Sequence, residues 1–190
     1  MQPDAATIIA RTRYWVRQVV VELNLCPFAR NPYEGGQVRY VVSDADQPEM
    51  LLEHLNTELE YLHEANENEV ETTMLILPYV LQDFLDYNNF LGRVEGLIED
   101  GGYAGEFQVA SFHPDYQFAG TDIDDAENFT NRSPYPTLHL LREAGMARAI
   151  DSYARPDKIP ERNIRTLDKL GAKHMRELLN KCMQIQSDET

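Results

Sequence analysis

Thr72-Thr73-Met74-Leu75-Ile76-Leu77, closed by Pro78, is the stretch on which the fold turns. Its second half is apolar at both alternating positions, the pattern of a central strand covered on both faces, and the proline ends it. A strand covered on both faces needs neighbours in its sheet and helices around it. Upstream, Val38-Arg39-Tyr40-Val41-Val42 reads as a strand by alternation and β-branching. Downstream, Phe107-Gln108-Val109-Ala110-Ser111-Phe112 reads as a third. Between the first two strands, Pro48 opens a helix with a core stripe of Leu51, Leu52, Leu55, Leu59 and Leu62. Between the second and third, Leu81, Phe84, Leu85, Leu91, Val94 and Ile98 recur at three- and four-residue steps, and Gly101-Gly102 ends the helix. This order predicts an α/β fold with a small, mainly parallel, three-stranded sheet packed by helices. A ferredoxin-like arrangement is the alternative, if a further strand lies near Tyr33 or Tyr103.

Helices extend the pattern at both ends of the chain. One is expected from about Asp4 to Leu25, with Ile8, Val16, Val19 and Leu23 near the helical period and Pro27 as its stop. Two more are expected from Pro134 to Ile150 and from Pro160 to Met183, followed by a frayed polar tail over 184–190. The length of 190 residues suits a single domain spanning 1–190 that buries its core without a disulfide or metal staple.

Composition narrows the function classes. A formal charge of −15 repels phosphate backbones, so no nucleic-acid partner is expected. Two cysteines, Cys26 and Cys182, do not build a tetrahedral thiolate site. No apolar run approaches the ~20 residues of a membrane span, and Met1-Gln2-Pro3-Asp4 carries no basic, then apolar, leader. With two widely separated thiols, this points to a cytoplasmic protein with no membrane partner.

Candidate chemistry concentrates after the third strand, where ligands bind in open α/β sheets. His113 and Asp115 lie two apart in extended backbone, as a base and its orienting carboxylate or two metal ligands would. The alternative is a histidine satisfied by backbone at a turn. Asp122, Asp124, Asp125 and Glu127 offer hard oxygens. A divalent-metal reading would join Asp115, Asp122, Asp124 and Asp125, whereas a solvated acidic loop is the plainer one. Asn128, Asn131, Arg132 and Tyr135 cluster before Pro136, where Arg132 is either an anion clamp or a clasp on the acidic loop. His139 and Glu143 fall four apart on the expected helix. Cys26, among apolar neighbours at a helix C-terminus, reads as a buried structural thiol unless an Arg or His folds over it.

Leu23-Asn24-Leu25-Cys26-Pro27-Phe28-Ala29, His113-Pro114 within Phe112–Phe118, Asn128–Glu143 with its Asn131-Arg132-Ser133-Pro134-Tyr135-Pro136 core, and Ile159-Pro160-Glu161-Arg162-Asn163-Ile164 resemble the bacterial family called domain of unknown function 1415. The resemblance runs from the first helix to about Gly171. It implies a single bacterial cytoplasmic domain and adds no catalytic assignment and no cofactor. The residues point to a site for a small anionic ligand, with His113, Asp115 and His139 as catalytic groups and Asn128, Asn131, Arg132 and Tyr135 as ligand-binding ones. Hydrolytic or transfer chemistry fits that site. A divalent-metal-binding protein and a non-catalytic interaction protein, self-associating through its terminal helices, are the alternatives.

Overall fold

The computed structural model describes residues 3–187. Four strands form one mixed sheet in the order β1-β2-β4-β3, with β1 at Val38–Val42, β2 at Thr72–Ile76, β3 at Phe107–Phe112 and β4 at Thr137–Arg142. β1 and β2 run parallel, whereas β4 is antiparallel to both β2 and β3. The expected three-stranded, mainly parallel sheet is therefore corrected to four strands with one parallel pair. The missing strand lies near neither Tyr33 nor Tyr103. It is Thr137–Arg142, within the stretch read as a helix from Pro134 to Ile150. Leu138 and Leu140 alternate onto one face there, and both neighbouring strands saturate its backbone. Helix α5 (Glu143–Asp151) begins only at the next residue.

Helices α3 (Pro48–Glu64) and α4 (Phe84–Asp100) cover one face. Leu51, Leu55, Leu59 and Leu62 from α3 and Tyr87, Phe90, Val94 and Ile98 from α4 meet Leu75, Leu77, Phe107, Leu138 and Leu140 of the sheet layer. Tyr87 also ties α4 to the sheet, donating its hydroxyl proton to the Thr137 carbonyl at 2.8 Å and accepting from the Phe112 amide at 3.1 Å. Asp83 caps α4, its carboxylate accepting from the Leu85 and Asp86 amides.

The other face belongs to the two ends of the chain. Helix α1 (Ala5–Trp15) starts on the Asp4 cap and passes into a π-helical segment, Val16–Val21. The expected single helix to Leu25 is thus cut short, and Asn24 with φ 55° turns the chain. The short α2 (Arg30–Glu34) follows. At the other end, α6 (Ile159–Leu170) and α7 (Ala172–Gln184) replace the one helix expected from Pro160 to Met183, because Gly171 takes φ 81° between them. Trp15, Val16, Val19, Phe129, Leu167, Met175 and Cys182 pack with Met74 in a second core on this face. Of the tail expected to fray, Gln184 ends α7 and the Ile185 carbonyl accepts from Arg11, while 188–190 lie outside the described residues.

Candidate functional site

Alternate residues of the sheet share a face, so Thr72 and Met74 on β2, His139 and Leu141 on β4, and Phe112 on β3 all turn toward the terminal helices. There they floor a cavity of about 390 Å³. Its walls are Trp15, Val16 and Val20 on one side, and Gly145, Met146 and Ala149 of α5 on another. The turn carrying Cys26 and Phe28 adds a further part of the lining, and the cavity stays half open. Glu71, Arg142 and Arg148 contribute the charged part of the lining. An apolar hollow of that size with a few polar groups is what small-molecule sites look like, at roughly 300–1,000 Å³.

His139 is its central polar group. Thr72 Oγ1 lies 2.6 Å from both the Leu140 carbonyl oxygen and His139 Nε2. A hydroxyl has one proton, and a carbonyl oxygen can only accept, so Thr72 donates to Leu140. His139 Nε2 must then carry the ring proton and donate it to Thr72. That fixes the tautomer and leaves Nδ1 with its lone pair. No side chain or backbone group among the described residues bonds to Nδ1. Burial pushes the His139 imidazole down to about 4, so it is neutral at physiological pH and acts there as an acceptor.

The Trp15 side chain lies in the same wall. Trp15 is fully buried, and its indole Nε1–H has no acceptor. Like the Tyr40 hydroxyl and the Thr73 hydroxyl, that N–H is sealed in packing, each atom exposing under 1 Å². Glu71 has its carboxyl raised by burial, opposed by the charges of Arg148 and Arg142. Arg142 is anchored beneath α5, donating to the carbonyls of Leu62, Ala65 and Val70. Arg148 pairs with Glu67 at 3.0 Å.

Cys26 is half-buried and lines the cavity. Burial raises its thiol, while the backbone N–H groups of Phe28 and Ala29 and the charge of Arg162 pull the other way. Its turn is held from α6. Asn163 Nδ2 donates to the Leu25 carbonyl at 2.7 Å, and Arg162 donates to the Asn24 carbonyl. The guanidinium of Arg162 also reaches the Tyr153 hydroxyl, whose ring meets Phe28 edge-on at 5.6 Å.

The residues singled out after the third strand are placed elsewhere. His113 is fully buried, stacked near Phe84 and Tyr87. Its Nδ1 accepts the Asp115 backbone amide at 3.0 Å, and its Nε2 donates to the Leu81 carbonyl at 3.2 Å. The Asp115 contact is thus made by its amide, and its carboxylate is on an exposed residue. Burial lowers the His113 pKa. Asn128 is fully buried and accepts from the Phe118 amide and the Thr121 hydroxyl, while its amide group donates to the Asp122 carbonyl. Asn131 donates to the Ser111 carbonyl. Arg132 is buried over the Phe129 ring, with Nε on the Tyr116 carbonyl and Nη2 on the Ile123 carbonyl. The Tyr135 hydroxyl accepts from Arg11 at 3.0 Å. Within the acidic loop, Asp125 accepts from the Asp122 amide and Asp124 pairs with Arg176. Among the described residues no three His, Cys, Asp or Glu side chains are grouped to hold a metal ion. His139 alone of these candidates lines the cavity, and it sits on β4, so it shares no helical face with Glu143.

Trp15 and Thr72 are the cavity residues that sequence reasoning left in the core. A tryptophan in an apolar stripe and a threonine at a strand start carry no signal of their own, because their roles depend on partners distant in sequence.

Fold and cavity together define an α/β protein with a half-open cavity of small-molecule size, and no helix among the described residues is long and apolar enough to cross a membrane. The family profile described as "Protein of unknown function (DUF1415)" matches residues 7–177. The chain belongs to that family. Comparisons with curated proteins and with solved structures find no match. Cys26, Phe28 and Ala29, and His139, Leu141 and Arg142, come from two of the segments on which the family resemblance was drawn, and they meet at the cavity.

Proposed function

We propose that the protein binds a small, largely apolar organic molecule in the cavity between the sheet and the terminal helices, with His139 Nδ1 as the hydrogen-bond-accepting group. The unpartnered Nδ1 of a ring held in one tautomer carries this reading. Glu71, its carboxyl raised by burial, together with Arg142 and Arg148 makes the α5 end the polar end of the cavity. An imidazole that burial keeps neutral and weakly basic accepts a hydrogen bond from a donor on that molecule, so its role is recognition ahead of proton transfer. The loop of Asn128, Asn131 and Arg132 then has the role of a braced flank, since its polar side chains bond to loop and strand carbonyls.

Trp15 is the chain's one tryptophan, which makes the test direct. Titration with a panel of small carboxylic acids, esters and neutral aromatics should shift its emission for a subset of compounds. Ala149→Phe, which fills the α5 wall, should abolish those responses while the circular dichroism spectrum is kept. Compounds that respond equally in the filled variant, or a panel that never moves the emission, would refute the reading.

A further inference from the structure

β3 forms an open edge of the sheet, since the order β1-β2-β4-β3 gives it β4 as its one strand partner. In an antiparallel pair, successive residues turn their backbone groups alternately toward the partner and away from it. The Glu143 amide donates to the Glu106 carbonyl at 2.9 Å, which sets the phase of the β3–β4 pair. Gln108, Ala110 and Phe112 therefore face β4, while Phe107, Val109 and Ser111 face outward. At the two ends the outward groups are used. The Phe107 amide donates to the Tyr103 carbonyl, and the Ser111 carbonyl accepts from Asn131 Nδ2. Between them, the Phe107 carbonyl, both backbone groups of Val109 and the Ser111 amide have no partner among the described residues.

Exposed edges invite pairing with other chains, and proteins blunt them with charges, prolines or bulges. β3 has none of these. Phe107-Gln108-Val109-Ala110-Ser111-Phe112 holds no charged residue and no proline, and its register with β4 runs without a bulge. The opposite edge, β1, carries Arg39. Beside the open edge runs a groove of about 390 Å³ between β3 and α4. Leu91, Val94 and Ile98 of α4, with Phe107 and Val109 of β3, form its apolar lining. Its charged lining is Glu95, Glu99 and Glu143, with no lysine or arginine. Leu91, Glu95 and Glu99 follow at four-residue steps and so share one flank of α4. None of the three carboxylates has a cation at ion-pairing distance among the described residues.

We propose that this edge and groove dock an extended, basic segment of another protein, added antiparallel as a fifth strand beside β3. Val109 exchanges both backbone bonds with one residue of the added strand. The Phe107 carbonyl and the Ser111 amide bond to the residues two positions to either side of it. In such strand addition the main-chain bonds give affinity and alternate side chains give specificity. Phe107 and Val109 pack on the α3–α4 core, so side chains of the added strand on that face enter the groove. β-Branched residues suit its apolar floor, and flanking lysines or arginines meet Glu95, Glu99 and Glu143. The same carboxylates disfavour a second copy of the chain as the occupant. Two copies joined edge to edge bring both sets of glutamates to one seam, from proteins each of formal charge −15. The groove lies on the α3–α4 face and the cavity on the other, so this inference stands apart from the ligand reading.

The probe is the peptide acetyl-Lys-Lys-Val-Thr-Val-Lys-Lys-amide, titrated into the intact, isotope-labelled protein and read by backbone amide chemical shifts. It should shift the Val109 and Ser111 amides saturably, and added salt should weaken the binding. The same peptide with glutamates for its lysines should leave those amides unmoved. N-methylation of its three central residues keeps side chains and charge but removes the backbone donors, and should abolish the shifts. Glu95→Lys combined with Glu99→Lys changes two exposed side chains and should weaken binding by roughly tenfold or more. That variant should keep the Trp15 emission response of the cavity. Unmoved Val109 and Ser111 amides, or shifts that survive N-methylation or the exchange of lysine for glutamate, would overturn the assignment. So would a concentration-dependent dimer of the protein alone that masks the same two amides, since the occupant is then a second copy.

Discussion

Lowering the pH should destabilise the fold through His139, by an amount that follows from its surroundings. Burial, the sole cause of its shift, pushes the imidazole down to about 4, against about 6.5 for an unfolded histidine. The native value is the lower one, so between the two the unfolded chain binds a proton that the native chain does not. The stabilisation is whole above the unfolded value and is lost as pH falls toward the native one. At about pH 5 this amounts to at most about 2 kcal/mol, from 1.36 kcal/mol per unit of difference. The assay is urea denaturation of wild type and His139→Gln at about pH 7.5 and about pH 5. Glutamine retains a donor for Thr72 and does not titrate. The stability of the wild type relative to the variant should therefore fall by about 2 kcal/mol between the two conditions. His113, also lowered by burial, acts alike in both proteins and cancels in the difference. Identical pH dependence in the two proteins would refute the picture of an enclosed, neutral base.

Two further substitutions separate bracing from chemistry. Arg132→Ala leaves the carbonyls of Tyr116 and Ile123 without their donor and should cost about 2–4 kcal/mol, measured by thermal or urea unfolding. The same variant should speed proteolysis within 113–131 and leave the affinity of cavity ligands within about twofold, a separation that ligand titration checks. Asn163→Ala removes the donor to the Leu25 carbonyl and should cost about 1–2 kcal/mol. Unlike Arg132→Ala, it should also weaken cavity ligands in the Trp15 emission titration, because the turn carrying Cys26 and Phe28 is part of the lining.

The strands β1, β2 and β3 were legible because each is a local pattern. Five or six residues alternate or run apolar between turn signals, and the neighbouring strand merely satisfies what the chain already presents. The α3 stripe of Leu51, Leu55, Leu59 and Leu62 was legible for the same reason, and all four are fully buried. Thr137–Arg142 was misread because Leu138, Leu141 and the His139–Glu143 spacing also fit a helix. Only the two strands that pair with it decide between the periods. The His113–Arg132 segment was visible as a concentration of polar residues in a long loop. Sequence does not distinguish polar groups aimed at a ligand from polar groups that hold backbone carbonyls, since the residue types are the same.

By itself the sequence determined an α/β class, the strands β1, β2 and β3, the family, and His139 as a residue to watch. These follow from periodicity, from turn residues and from motif strings, all of which act over a few neighbours. Tertiary structure decided the order β1-β2-β4-β3, the change to π-helical pairing at Val16, the break at Gly171, and the meeting of Trp15, Cys26, Thr72 and His139 around one cavity. Those residues lie up to 124 positions apart, from Trp15 to His139. A proton's location on His139 depends on a hydroxyl from another strand, and a free lone pair exists only once that partnership has formed. Chemistry of this kind belongs to contacts, and contacts are fixed by packing rather than by any short run of the chain.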